Sequence, residues 1–216
     1  MTLEQYQTQK QALIAEIERV FDGVAREDGR TLHEASAMDD YATPEELAEA
    51  RLLDIETRWQ DVPDQSIQWG HMSLIYFDEK GLHYYLPAYL IWFLRFVDHE
   101  EENFYSETFS TVDYILGMRF ELDLDEDQNA PIRQLESLLG ASLDDNLNSI
   151  FSKFSAFSDD QKRAIAHFLH FKHEQVDYRV EQWNLVPNPD EEEESWQQQE
   201  HAKIQRALDK YWGQFL

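Results

Sequence analysis

The chain has 216 residues, 42% of them hydrophobic and 29 of them aromatic, with 44 acidic against 18 basic residues and no cysteine. This is enough apolar material for one core, and it excludes disulfides, thiol catalysis and thiolate metal sites. A net charge of −26 repels nucleic acid from most of the surface.

The N-terminus, Met1-Thr2-Leu3-Glu4-Gln5, has neither a basic stretch nor an apolar run of the signal-peptide kind. The longest apolar run, Leu86 to Phe96, includes Arg95 and is about half the ~20 residues of a membrane helix. A cytoplasmic protein without membrane attachment is the expectation. Three readings of the acidity compete. Solvated carboxylates suit a salty host, and seven lysines fit that reading, which is favoured. Docking to a basic protein is the second, and mimicry of a DNA backbone the third.

Leu3 to Val24 reads as an amphipathic helix, with Leu13, Ile17, Val20, Phe21 and Val24 at helical spacing. Thr31-Leu-His-Glu34 has the form of a capping box and opens a short helix through Met38. Thr43-Pro44-Glu45-Glu46 is a stronger start, combining an N-cap, a proline in the first turn and acids against the helix dipole. From it an apolar stripe of Ala48, Leu52, Ile55 and Trp59 is expected to run on one helix, beside an ion ladder of Arg51, Asp54 and Arg58 that ends at Val62-Pro63.

The strongest β signal follows. Ser73 to Phe77 and Leu82 to Leu86 are β-rich runs joined by Asp78-Glu-Lys-Gly81, the pattern of a hairpin over about residues 73–86. Pro87 then suits the first turn of a helix to about Val97, apolar nearly all round. Residues 98–109 read as an acidic loop and Thr111 to Phe120 as a helix. A short helix is expected over Asn129 to Leu139, and helical spacing joins Leu147, Ile150, Phe151 and Phe154. Ser158-Asp-Asp-Gln161 is a capping box for a helix to about Glu174, and Asn188-Pro-Asp-Glu191 is another for a C-terminal helix over about 189–213. The expected fold is therefore α+β: one predominantly helical domain over 1–216 with a small antiparallel hairpin. Its C-terminal helix should pack on the Leu86–Val97 helix or the N-terminal one.

Chemistry-bearing motifs are sparse. Asp123-Leu-Asp125-Glu-Asp127 looks like a calcium loop, but Gln128 and Gln134 stand where an EF-hand needs Gly and Glu, so a solvated acidic loop is the better reading. His167, His170 and His173 fall on the expected solvent side of their helix. Of these, His170 with Glu174 could hold a metal with help from elsewhere, although surface histidines explain them more simply. His33, Glu34, Asp39 and Asp40 could bind a cation or carry acid–base chemistry, although a capped helix start and acidic loop account for them. No phosphate-binding, dinucleotide, nucleophile-elbow or zinc-protease motif is present. The sequence thus points to no catalytic residue, cofactor or metal.

Trp59 with Pro63, followed by Phe77-Asp78-x-x-Gly81-Leu82-x-Tyr84-Tyr85-Leu86-Pro87-Ala88-Tyr89, resembles an uncharacterised bacterial family of unknown function. Phe154-x-x-Phe157-x-x-x-Gln161-x-x-x-Ile165-x-x-Phe168-Leu169 and Ala207-Leu208-x-x-Tyr211-Trp212 are similar too, and together these cover about half the chain. The Trp-x-x-x-Pro feature also resembles SUKH-type bacterial immunity proteins. What the resemblance and the charge imply is a non-enzymatic acidic interaction module, immunity- or antitoxin-like, with a basic protein partner. The alternatives are an enzyme or metal-dependent protein built on His33, Glu34, Asp39 and Asp40, and a DNA mimic. Oligomeric state is left open.

Overall fold

The computed structural model describes residues 1–98, 102–118, 143–183 and 196–216. The expected Asn129–Leu139 helix, the Asp123–Asp127 loop and the Asn188 cap lie outside them. Among the described residues there is helix and no strand, so the α+β expectation is overturned in favour of an all-helical architecture. No helix among them is long and apolar enough to cross a membrane.

Helix α1 spans Leu3–Val20 and starts where Thr2 and Gln5 form a reciprocal capping box. Its buried stripe is Tyr6, Lys10, Leu13 and Ile17. It stops four residues before the expected Val24, with Gly23 at a φ of 74° closing the turn that follows. Helix α2 is Leu32–Asp39, capped by Thr31 and Glu34, and α3 is Pro44–Arg51, capped by Thr43 and Glu46. Both starts match the sequence expectation because the signal is local.

The expected stripe beyond α3 does not form. The helix ends at Arg51, Leu52 and Ile55 are 76% and 86% exposed, and only Trp59, in the 3-10 turn Trp59–Asp61, is buried. The ion ladder is replaced by three separate pairs, Arg51 with Glu34, Asp54 with His33 and Arg58 with Asp61. Val62-Pro63 does not close a helix but precedes α4, Asp64–Trp69.

The hairpin region is helical throughout. Ser73–Tyr76 is a single turn, α5, and Glu79–Phe96 is α6. Asp78 accepts from the Gly81 amide at 2.8 Å, so Asp78-Glu-Lys-Gly81 is a helix cap and not a hairpin turn. The carbonyls that a strand partner would need are taken by side chains. Lys153 donates to those of Ile75 and Phe77, each at 2.9 Å, and Arg30 to that of Tyr76. Leu82, Tyr85, Leu86 and Tyr89 recur at helical spacing, and tertiary burial overrides the β-rich composition. Pro87, expected in the first turn, lies inside the helix, where its missing N–H leaves the His83 carbonyl without its helical donor. From Leu82 to Leu94 every residue but His83 is buried, which makes α6 the central element.

Around α6 pack α1, α4, α5, the Trp59 turn and α7, Glu102–Ile115. The acidic stretch expected as loop is largely this helix, which buries Thr108, Val112 and Ile115 at positions i, i+4 and i+7. Helix α8 is Leu143–Ser152 and leads to the buried Phe154 and Phe157. Helix α9, Asp159–Trp183, starts on the Ser158–Gln161 box and continues nine residues past the expected Glu174. It packs along α1, where Tyr6 stacks on Phe171 and Tyr178 with centroids 5.2 and 4.4 Å apart. Helix α10, Trp196–Lys210, and the final 3-10 turn Trp212–Phe215 lie on α9, not on α6 or α1 as the sequence suggested.

The segment before α2 crosses the first turn of α6 backbone against backbone. A Cβ on Gly81 would stand 2.5 Å from the Arg30 carbonyl oxygen, and one on Gly29 would stand 2.6 Å from the Gly81 nitrogen. Neither neighbour is a flexible side-chain end. Gly81→Ala should therefore cost about 1–3 kcal/mol through overpacking, lowering the melting temperature by several degrees. A variant that melts with the parent would show that these two backbone segments separate freely.

Candidate functional site

The polar quartet read from the sequence is not assembled as one site. The His33 ring and backbone nitrogen both bind the Asp54 carboxylate, at 2.7 and 2.9 Å. Glu34 closes the Thr31 cap and holds Arg51 at 2.7 Å. Asp39 accepts from the Tyr76 hydroxyl at 2.6 Å, and Asp40 is the C-cap of α2. His33, Glu34 and Asp39 thus each have a side-chain partner outside the quartet.

What His33 does instead is anchor an irregular strip, residues 52–58. Along it the usual placement of side chains is inverted. Asp54 is buried and Glu56 nearly so, while Leu53 and Ile55 point out, 62% and 86% exposed. The buried acids explain the strip's path. Arg26 donates to the Asp54 carbonyl at 3.0 Å and to Glu56 at 3.3 Å. Tyr85 donates to Glu56 at 2.7 Å and accepts from Arg26 at 2.9 Å. Burial, with the nearby Asp54 and Glu56 charges, lifts the Tyr85 hydroxyl far above its ordinary range. Tyr84 is raised in the same way, by burial and then by Glu56. Both phenols therefore stay protonated at physiological pH, and Tyr85 remains a donor to Glu56.

Beside the strip lies an open cleft of about 450 Å³ whose lining includes His33, Leu53, Ile55, Glu56, Asp61 and Ser66. Trp69, 57% exposed, lies against the His33 ring at 5.0 Å, and Tyr41 on the turn after α2 is 95% exposed. This end of the molecule therefore shows aromatic and aliphatic side chains among carboxylates.

The second sequence candidate, His170 with Glu174, is exposed on α9, and no third ligand joins the pair among the described residues. The other two histidines of that row are not solvent ornaments. His167 contacts the Glu16 carboxylate at 2.9 Å, and His173 is half-buried against His201 of α10. Sequence reading missed the 53–56 strip because its apolar spacing also suits a helix. The one available signal was Asp54 and Glu56 alternating with Leu53 and Ile55, a period of two.

A model of a family of unknown function, DUF6714, matches residues 9–215. The chain belongs to that family. The likeness to an uncharacterised family read from the aromatic motifs agrees with this, while no comparison connects the chain to SUKH proteins. No curated protein and no solved structure gave a significant match.

Proposed function

We propose that this protein is a non-enzymatic interaction module that holds a basic protein on the Leu52–Ile55 strip, in the manner of an immunity protein or antitoxin. The observation that carries the reading is the inversion along that strip. A buried acid is informative where an exposed leucine alone is not. Here two acids are tied down inside, which fixes the backbone that displays Leu53 and Ile55 to solvent. A pre-ordered apolar ridge loses little entropy on binding. Asp61 lines the same cleft, and α3, which leads directly into the strip, carries Glu45, Glu46 and Glu49, so the charge here favours a cationic partner and speeds encounter.

The test uses the full chain to isolate a host protein at moderate salt, followed by titration of the purified pair. Support requires a basic partner whose affinity falls with rising salt. It also requires that Leu53→Ser with Ile55→Ser weaken binding by about tenfold or more, as expected for two central apolar contacts. Both residues are exposed, so the fold should be unaffected. An unchanged affinity in the double variant, an acidic partner, or no specific protein at all overturns the reading.

A further inference from the structure

Apart from that strip, three ligand-type residues meet across two helices. His173 and Asp177 stand at i and i+4 on α9, and His201 faces them from α10. One ligand atom from each can be chosen so that all three lie within 4.8 Å of one another, and all three residues are partly buried. We propose that His173, Asp177 and His201 form a binding site for one divalent transition-metal ion of the zinc class, clipping α10 to α9.

The contacts among the three are poor as hydrogen bonds, which is what a ligand set lacking its cation looks like. His201 Nε2 is 3.1 Å from Asp177 Oδ1, but the geometry is not that of a hydrogen bond, and this buried nitrogen has no other partner among the described residues. His173 Nδ1 is 3.9 Å from Asp177 Oδ2, beyond hydrogen-bonding reach. The two imidazoles lie face to face with centroids 3.7 Å apart and planes 6° from parallel. Two protonated rings would repel in that arrangement. Neutral imidazole is the form that binds a metal. Asp177 is also oriented from outside the trio, since the Gln197 amide donates to its Oδ1 at 2.7 Å, the kind of outer contact that aims a metal-binding carboxylate.

The donor set selects the ion. Two nitrogens and one carboxylate oxygen suit Zn²⁺, Co²⁺ or Ni²⁺, whereas Mg²⁺ and Ca²⁺ prefer oxygen alone. One ion cannot lie in the planes of two parallel rings 3.7 Å apart, so bonds of about 2.0–2.2 Å require one imidazole to turn out of the stack as the ligand atoms draw together. Three protein ligands leave a coordination position for water or for a group from a partner. An exposed acidic surface would instead bind cations weakly, in several places and without preference for zinc.

The experiment titrates the full chain with ZnCl₂ in excess MgCl₂ by calorimetry and follows CoCl₂ binding by its visible absorption. One saturable zinc site per chain is expected, with a cobalt spectrum of low coordination number and a zinc-dependent rise in melting temperature. His201→Ala should abolish all three, Gln197→Ala should weaken binding by roughly tenfold or more, and His170→Ala should change nothing. Circular dichroism of each variant confirms that it is folded. Should His201→Ala misfold, the cobalt spectrum of the unaltered chain and the Gln197→Ala titration still decide. Zinc binding that survives the loss of His201, that magnesium displaces, or that shows no saturable single site overturns the proposal.

Discussion

A chain ending at Lys210 should fold poorly or not at all. The six residues removed contain Trp212, which is completely buried and donates from its indole nitrogen to the Leu116 carbonyl at 2.9 Å, joining the tail to the end of α7. Its ring meets Phe154 edge-on at 4.8 Å, and Tyr211 stacks on Phe151 at 4.4 Å. Arg163 of α9 donates to the Phe215 carbonyl at 3.1 Å. Loss of one buried tryptophan alone costs about 3–5 kcal/mol, and a domain has on the order of 5–15 kcal/mol in total. Truncation should therefore lower the melting temperature by ten degrees or more, or abolish the cooperative transition. Trp212→Phe should fall between, since it retains most of the packing but orphans the Leu116 carbonyl. Thermal melts followed by near-ultraviolet circular dichroism would check both. A truncated chain melting within a degree or two of the full one would show that the tail is an appendage.

Removing Lys172 should be nearly as damaging, for an electrostatic reason. Lys172 of α9 and Asp113 of α7 form a buried ion pair, 4% and 9% exposed, with the Lys172 ammonium 4.7 Å above the Phe93 ring. Taking away the ammonium leaves the largely buried Asp113 carboxylate short of a countercharge, and breaking a buried pair typically costs about 3–5 kcal/mol. Lys172→Met should show this loss in urea unfolding. Lys172→Met combined with Asp113→Leu should recover most of it, because an apolar pair of similar volume needs no solvation. If the double variant is no better than the single one, the loss comes from packing and not from charge.

These two contacts also show what a sequence alone conveys. The caps at Thr31, Thr43 and Ser158 were legible because both partners lie within four residues. The buried pair of Lys172 and Asp113 spans 59 positions, and its members look like any surface charges. The same limit explains the hairpin. Tyr84, Tyr85 and Leu86 have β-type side chains, but that preference mostly reports fit to a packed surface, and α6 is packed on all sides. For the candidate sites, the side chains that meet are not the ones that stand together in the sequence. His33 finds Asp54, 21 residues on, in place of its acidic neighbours in sequence. On α9 the i, i+4 pair that meets His201 of α10 is His173 with Asp177, one turn along from the exposed His170 and Glu174.

The burial of α6 bears on how the protein is made. Phe93 packs edge-on against Phe168 at 5.1 Å, and His83 meets Gln161 at 2.9 Å, so α9 covers part of this helix. During synthesis at about 5–20 residues per second, the ribosome needs several seconds after Leu94 before Phe168 emerges. Throughout that interval the nascent chain carries a thirteen-residue aromatic and aliphatic helix with an open flank. Its early covering comes from α1, α4 and α5. That flank of α6 is thus open to wrong association until α9 has been made.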